Sequence, residues 1–141
     1  MEVLLVEKDP LVRDLVKVGL QQFPEFKVTT GQGYVGINEA RSRPFDAIFL
    51  GVDPKQKDTV KLLHHLRSFD SATELFVLTA GRNVRDMAVD KSKYHVQAFL
   101  TTPLDEREFF GLLGRFLERR TEREHSTLRR GKKAEAPPAE A

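Results

Sequence analysis

The chain of 141 residues contains no cysteine and no tryptophan. The absence of cysteine excludes disulfide bonds, thiolate catalysis and cysteine-ligated zinc, and it fits a reducing cytoplasm. No apolar run approaches the roughly 20 residues that a membrane-spanning helix needs. The first ten residues, MEVLLVEKDP, lack the basic region of a signal peptide. We therefore expect a cytoplasmic protein with no membrane span.

The charge balance argues against a nucleic-acid-binding domain. The chain has 23 Lys and Arg against 21 Asp and Glu, a net charge of +2. A dedicated nucleic-acid-binding domain normally carries a strong basic excess, so the composition argues against nucleic acid as the partner. The length suffices for one domain with a hydrophobic core and falls short of two.

Short apolar runs alternate with segments of helical periodicity. We predict strands at residues 3–6, 26–30, 46–50, 74–80 and 96–100, and helices at residues 10–22, 34–43, 58–67, 84–91 and 104–120. Asp9 followed by Pro10 is typical of a helix N-cap and first helical position. Continuous apolar strands joined by helices predict a doubly wound α/β fold, a five-stranded parallel sheet covered on both faces.

The pattern changes near residue 118, after which Leu128 is the one large apolar side chain. We predict a domain over residues 1–120 and a charged, Ala/Pro/Glu-rich tail over residues 121–141 that is partly disordered. The stretch GQGYVG, residues 31–36, matches GxGxxG. It follows the second strand and lacks the acidic partner about 20 residues further on, so we interpret it as a chance match.

Polar residues follow four of the predicted strands: Glu7-Lys8-Asp9, Gly51-Val52-Asp53, Thr79-Ala80 and Thr101-Thr102-Pro103. Parallel strands share their carboxyl end, so these residues should meet at one edge of the sheet, where open α/β sheets place their sites. With the stretches LLVEKDPLVR, FDAIFL, VLTA and FLTTP, in this order and spacing, residues 1–120 resemble the receiver domain of bacterial two-component response regulators. The resemblance implies a flavodoxin-like (βα)5 fold.

The resemblance also implies a site. Receivers transfer a phosphoryl group to an aspartate after the third strand, with Mg²⁺ held by acids after the first strand. A hydroxyl residue after the fourth strand and a lysine after the fifth bind the phosphate, and an aromatic on the fifth strand responds. Here Thr79 and Phe99 match the switch-like hydroxyl and aromatic positions. The degenerate phosphorylation pocket comprises Glu7, Lys8, Gly51, Asp53, Thr79 and Thr102.

The departures from the receiver pattern have direct chemical consequences. Gly51 stands at the acceptor position and cannot take a phosphoryl group. Lys8 places a positive charge where a divalent cation needs a carboxylate, and the two charges repel. Thr102 stands at the lysine position. We expect no catalytic residue, no metal and no cofactor. The Lys8 ammonium either pairs with Glu7 or Asp53, replacing the ion, or extends into solvent.

These residues predict a pseudo-receiver rather than an enzyme. We expect a phosphorylation-independent protein–protein interaction module of bacterial two-component signalling, with no output domain. Its partner would be a kinase or a motility or polarity protein. In receivers the fourth helix, fifth strand and fifth helix mediate pairing, which also predicts a homodimer. The predicted interaction face comprises Arg85, Asp86, Val89, Lys93, Tyr94, Gln97, Arg107 and Phe110.

Two alternatives stay open from the sequence. One is an atypical phosphorelay receiver that uses Asp53, two residues after the missing acceptor. The other is a small-ligand sensor that uses the vacant pocket.

Overall fold

The computed structural model describes residues 1–140, except for the side chains of residues 88, 89 and 125–140. The strands are β1 (Glu2–Val6), β2 (Lys27–Gly31), β3 (Ala47–Gly51), β4 (Glu74–Ala80) and β5 (Val96–Thr102). The helices are α1 (Pro10–Gln21), α2 (Gly33–Ser42), α3 (Lys57–Phe69), α4 (Ala88–Lys93) and α5 (Glu106–Glu140), and a short 3-10 helix (Gly81–Asn83) precedes α4. Among the described residues, no helix combines the length and apolarity that crossing a bilayer requires.

The five strands form one parallel sheet in the order β2-β1-β3-β4-β5. The predicted doubly wound, flavodoxin-like α/β fold is therefore confirmed. The strand order reverses between β1 and β3, and this switch point is where ligands bind in open α/β sheets.

The sheet is apolar throughout its centre, as the continuous apolar strands predict. Leu4, Ile48 and Leu75 are fully buried in one core cluster that also takes Leu63 and Leu66 from α3. Burial of this cluster holds the central strands in register and thereby positions the residues at their carboxyl ends.

The helices differ from the prediction mainly at α4. This helix has six residues, Ala88–Lys93, against a prediction of residues 84–91. Residues 84–87 form a turn that follows the 3-10 helix, and Asn83 and Met87 are buried. The segment has a weak apolar pattern, so packing of these two side chains decides its course more than helical periodicity does.

The start of α1 follows the predicted capping. The Asp9 Oδ1 atom accepts hydrogen bonds from the Leu11 and Val12 N–H groups at 2.9 and 3.4 Å, and Pro10 is the first helical residue. The helix buries Val16 and Leu20.

An apolar face of α1 points outward. We call Leu11, Leu15 and Val18 the α1 stripe; their exposed fractions are 69%, 52% and 56%. They recur at i, i+4 and i+7, so they form one continuous exposed row.

The glycines of GQGYVG serve packing. Gly31 ends β2 and Gly33, with φ of +56°, begins α2. A Cβ atom on Gly31 would lie 2.6 Å from the Gly36 Cα atom. The two glycines thus let the first turn of α2 pack directly on the end of β2.

Contacts within the chain divide it into two units, residues 1–105 and residues 106–141. In the second unit, Phe109, Leu112, Leu113 and Phe116 form the predicted apolar stripe of α5. The predicted tail, residues 121–141, overlaps the last part of this helix. Its side chains beyond residue 124 lie outside the described residues, and its disorder stays a prediction.

Candidate functional site

A cleft of about 490 Å³ lies at the carboxyl edge of the sheet. Its lining includes all six residues that the sequence assigned to the degenerate pocket: Glu7, Lys8, Gly51, Asp53, Thr79 and Thr102. The strand ends bring them together because the strands are parallel and in register. Gln56, Thr59 and Asn83 also line the cleft, and sequence reasoning missed them. They lie in loops and first helical turns, where the strand pattern that located the other residues does not extend.

The Glu7 carboxylate occupies the space that a side chain at position 51 would fill. Val6 of β1 pairs with Leu50 of β3, so Glu7 and Gly51 follow as neighbours with side-chain directions on the same face. A Cβ atom built on Gly51 would overlap the Glu7 Oε2 atom. The inward orientation of the Glu7 carboxylate therefore requires the absence of a side chain at position 51.

The β1–α1 loop holds the Glu7 side chain in this orientation. The Asp9 N–H donates a hydrogen bond to Glu7 Oε1 at 3.0 Å, within the turn that also caps α1. Burial raises the pKa of Glu7 above its usual value, an effect that the Asp9 N–H hydrogen bond opposes and the Asp9 carboxylate reinforces. The cleft thus contains a partly desolvated carboxyl group over Gly51.

The Lys8 ammonium group forms an ion pair with neither Glu7 nor Asp53. Its Nζ atom lies 3.6 Å from Asp58 Oδ2 on α3, and both side chains are 69% exposed. The hypothesis that Lys8 pairs with Glu7 or Asp53 is therefore wrong for this structure. An exposed pair of this kind contributes little to stability, because solvent screens it and both long side chains lose freedom.

Asp53 forms a local turn. Its Oδ1 atom accepts the Lys55 N–H at 2.9 Å, and its own N–H donates to Thr59 Oγ1 at 2.9 Å. Thr59 is buried, and its hydroxyl also lies 2.7 Å from the Gln56 carbonyl oxygen. These bonds close the β3–α3 loop, so Asp53 acts here as a turn residue.

The hydroxyl of Thr79 is buried without a hydrogen-bond partner in the described part of the chain. Thr79 is only 4% exposed and lies at the end of β4, on the wall of the cleft. Thr102 lines the cleft from β5, and its peptide bond to Pro103 is cis. Phe99 is half-buried and packs against the core cluster.

The predicted interaction face is divided between the two units. In residues 1–105, Arg85, Asp86, Lys93 and Gln97 are exposed, and the side chain of Val89 lies outside the described residues. Tyr94 does not belong to an exposed face: it is 8% exposed and part of the core cluster. It follows the last residue of α4, and its ring packs edge-on against His64 of α3. In α5, Arg107 is exposed and Phe110 is half-buried, with its ring stacked on Phe109 at 5.9 Å.

The residues of the cleft do not fit the magnesium ion of the receiver fold. Among the described residues, no group of three His, Cys, Asp or Glu side chains is placed to hold a metal ion. Mg²⁺ requires nearly octahedral oxygen ligation. Here one carboxylate lies over Gly51, and the position beside it is Lys8.

Comparisons with known proteins support the fold. No protein-family model and no curated protein matches the sequence. The structure is similar to the chemotaxis protein CheY4 of Vibrio cholerae, with a TM-score of 0.67 and 20% identity over 82% of this chain and 97% of that chain. It is also similar to the signal receiver domain of an HD domain-containing protein from Pseudomonas fluorescens Pf-5, with a TM-score of 0.72 and 22% identity over 87% and 91%.

A third similar structure is a sensor protein from Polaromonas sp. JS666, with a TM-score of 0.67 and 23% identity over 84% of this chain and 96% of that chain. The chain therefore has the fold of a response regulator receiver domain.

Proposed function

We propose that the chain is a phosphorylation-independent pseudo-receiver that works by protein–protein interaction in bacterial two-component signalling. One observation carries the proposal: Glu7 fills the space above Gly51 where a receiver places its acceptor aspartate. The packing of the cleft thereby supports the loss of the acceptor that the sequence predicts.

The surface supports an interaction role. The α1 stripe exposes three large apolar side chains in one row. Exposed contiguous apolar residues of this kind mark surfaces that contact other macromolecules. The exposed members of the predicted interaction face, among them Arg85 and Lys93, would add charged contacts at the rim of a protein partner.

A titration with beryllofluoride and Mg²⁺, followed by amide NMR, tests the proposal. Beryllofluoride mimics a phosphoryl group on a carboxylate, and acetyl phosphate provides a chemical donor. We expect no saturable shifts at Gly51, Thr79 and Phe99. Saturable shifts there, or a phosphorylated species by mass spectrometry, would restore a phosphoryl switch.

The same titration decides the phosphorelay alternative that uses Asp53. The Asp53 Oδ1 atom already accepts the Lys55 N–H within a local turn, and Pro54 restrains that turn. The structure offers no observation that favours this alternative.

The small-ligand alternative has one observation in its favour. The cleft contains an unpartnered buried hydroxyl on Thr79, which a bound ligand could satisfy.

A further inference from the structure

The charges around the cleft do not balance. Its lining contains three acidic residues, Glu7, Asp9 and Asp53, and one basic residue, Lys8, which gives a net charge of −2. Lys8 pairs with Asp58 rather than with an acid of the cleft. Asp9 and Asp53 each accept backbone N–H groups in a turn.

Glu7 is a partly desolvated carboxylate of the cleft whose hydrogen-bond donors are backbone N–H groups. Among the described residues, no basic group forms an ion pair with Glu7. Its carboxylate is partly desolvated over Gly51, and the Asp9 N–H is a neutral donor. A carboxylate in this position favours a cation at the mouth of the cleft, because partial burial strengthens the attraction and weakens its screening by salt.

The second, independent feature is the hydroxyl of Thr79. It is buried, it lacks a hydrogen-bond partner among the described residues, and it belongs to the wall of the same cleft. Buried hydroxyl groups in proteins are nearly always satisfied by protein, water or ligand. A ligand with N–H groups can donate one hydrogen bond to the hydroxyl oxygen and others to a carboxylate.

We propose that this cleft binds an organic nitrogen cation, an ammonium or a guanidinium group, between the Glu7 carboxylate and the Thr79 hydroxyl. The negative lining disfavours an anion. A divalent metal lacks the oxygen ligands it needs among the described residues. A protonated nitrogen needs one carboxylate and a few hydrogen-bond acceptors, which the cleft supplies.

The cation could belong to a free small molecule or to a lysine or arginine side chain of a protein partner. The chemistry of recognition is the same for both sources. The inference concerns the cleft alone and does not depend on the proposed interaction role.

Amide NMR at about pH 7.5, well above the ordinary pKa of a glutamate side chain, tests the proposal. Methylguanidinium and propylammonium are titrated at constant ionic strength, with tetramethylammonium as the matched cation that has no N–H group. We expect saturable shifts at Gly51 and Thr79 with the first two ions and none with the third. Equal shifts with tetramethylammonium would reduce the effect to general electrostatic screening and overturn the proposal.

Variants assign the contacts. Glu7→Gln keeps the size of the side chain and removes the charge, and we expect it to weaken binding at least about tenfold. Thr79→Val should weaken binding by a smaller factor. Glu25→Gln, the same change at an exposed residue outside the cleft, should leave it unchanged. Unchanged affinity in Glu7→Gln would overturn the proposal, as would saturable binding of Mg²⁺ that displaces the organic cations.

A capped Gly-Arg-Gly peptide, compared with its neutral citrulline counterpart, distinguishes the sources. Binding of the arginine peptide at least about tenfold tighter than methylguanidinium would indicate a protein side chain. Equal affinities would indicate free organic cations, and binding of the citrulline peptide equal to that of the arginine peptide would contradict the need for charge. Failure of these titrations leaves the proposed function intact, because that proposal fails only if beryllofluoride or acetyl phosphate modifies the cleft.

Discussion

At the scale of single residues, glycine at position 51 is coupled to the neighbouring residue Glu7. The register of β1 and β3 makes Glu7 and Gly51 neighbours on one face of the sheet. The absence of a Cβ atom at position 51 allows the Glu7 carboxylate to turn inward, where the Asp9 N–H holds it. A substitution that adds a side chain at position 51 therefore also displaces the Glu7 carboxylate.

Gly51→Ala should lower the free energy of unfolding by about 1 kcal/mol, because the new methyl group displaces the Glu7 carboxylate from its hydrogen bond. In a Glu7→Ala background the same change should be neutral or slightly stabilising, since alanine restricts the unfolded chain. Urea unfolding of the four proteins in this double-mutant cycle measures the coupling. An equal cost in both backgrounds would show that the two residues are independent.

Glu7 should also make stability depend on pH. Its pKa is raised in the folded state above the usual 4.5, mainly by burial, so the folded protein binds this proton more tightly than the unfolded chain. The contribution of Glu7 is fully present below pH 4.5 and is lost as the pH rises through the folded-state pKa. Glu7→Gln should therefore gain stability relative to the wild type between about pH 4 and about pH 7.5.

Urea unfolding of both proteins at the two pH values measures this difference. Comparison within each pH cancels the titration of the other carboxylates. The difference in free energy of unfolding between Glu7→Gln and the wild type should change with pH. If it stays constant, or shifts in favour of the wild type as the pH rises, the burial of a carboxyl group at position 7 is contradicted.

Two buried threonines of the cleft should respond in opposite ways to loss of their hydroxyl groups. Thr79 is 4% exposed with an unpartnered hydroxyl, whereas Thr59 is 6% exposed with hydrogen bonds that close the β3–α3 loop. Thr79→Val should leave stability unchanged or raise it by roughly 1 kcal/mol, while Thr59→Val should lower it by about 1–2 kcal/mol. Thermal unfolding in the absence of ligands compares them, and equal losses would mean that the Thr79 hydroxyl is satisfied.

At the scale of secondary-structure elements, one arginine joins segments at the amino-terminal edge of the sheet. The Arg67 guanidinium, near the end of α3, donates to the carbonyl oxygens of Tyr94 at 2.7 Å and His95 at 3.1 Å, in the turn before β5. It also donates to the carbonyl oxygens of Asp70 at 3.0 Å and Thr73 at 2.9 Å, before β4. These bonds satisfy backbone groups that no strand or helix uses.

Arg67→Lys should lower the free energy of unfolding by roughly 2–3 kcal/mol, because one ammonium group cannot reach carbonyls that a planar guanidinium spans. Arg82→Lys, an exposed site, should change stability by less than about 0.5 kcal/mol. Urea unfolding of both variants tests this, and similar small effects would mean that the carbonyls find water readily.

At the scale of the whole molecule, the predicted interaction face makes self-association testable. Small-angle scattering on dilution should give an apparent mass that falls from that of a dimer toward that of one chain. Lys93→Glu reverses a charge on the face and should weaken the dimer, whereas Lys27→Glu, exposed on β2, should not. A single-chain mass at every concentration would remove the homodimer and leave a different protein as the partner.

The sequence by itself determined the order of elements and the six residues of the predicted pocket that line the cleft. A continuous apolar run such as residues 47–50 is typical of a buried strand, and Asp9-Pro10 is typical of the start of a helix. Parallel strands share a carboxyl end, so the residues after them had to meet at one edge. That reasoning placed Glu7, Gly51 and Thr79 in one cleft without coordinates.

Only the tertiary structure decided where the side chains point. The Glu7 carboxylate lies over Gly51, and Lys8 turns to Asp58, because register and loop hydrogen bonds between distant segments set these directions. Tyr94, the residue that follows α4, is also buried by contacts with a distant segment. A six-residue helix is too short for its periodicity to show which face is buried, so the sequence did not predict this. Periodicity reports which residues face the core; contacts between segments far apart in the chain decide which groups meet.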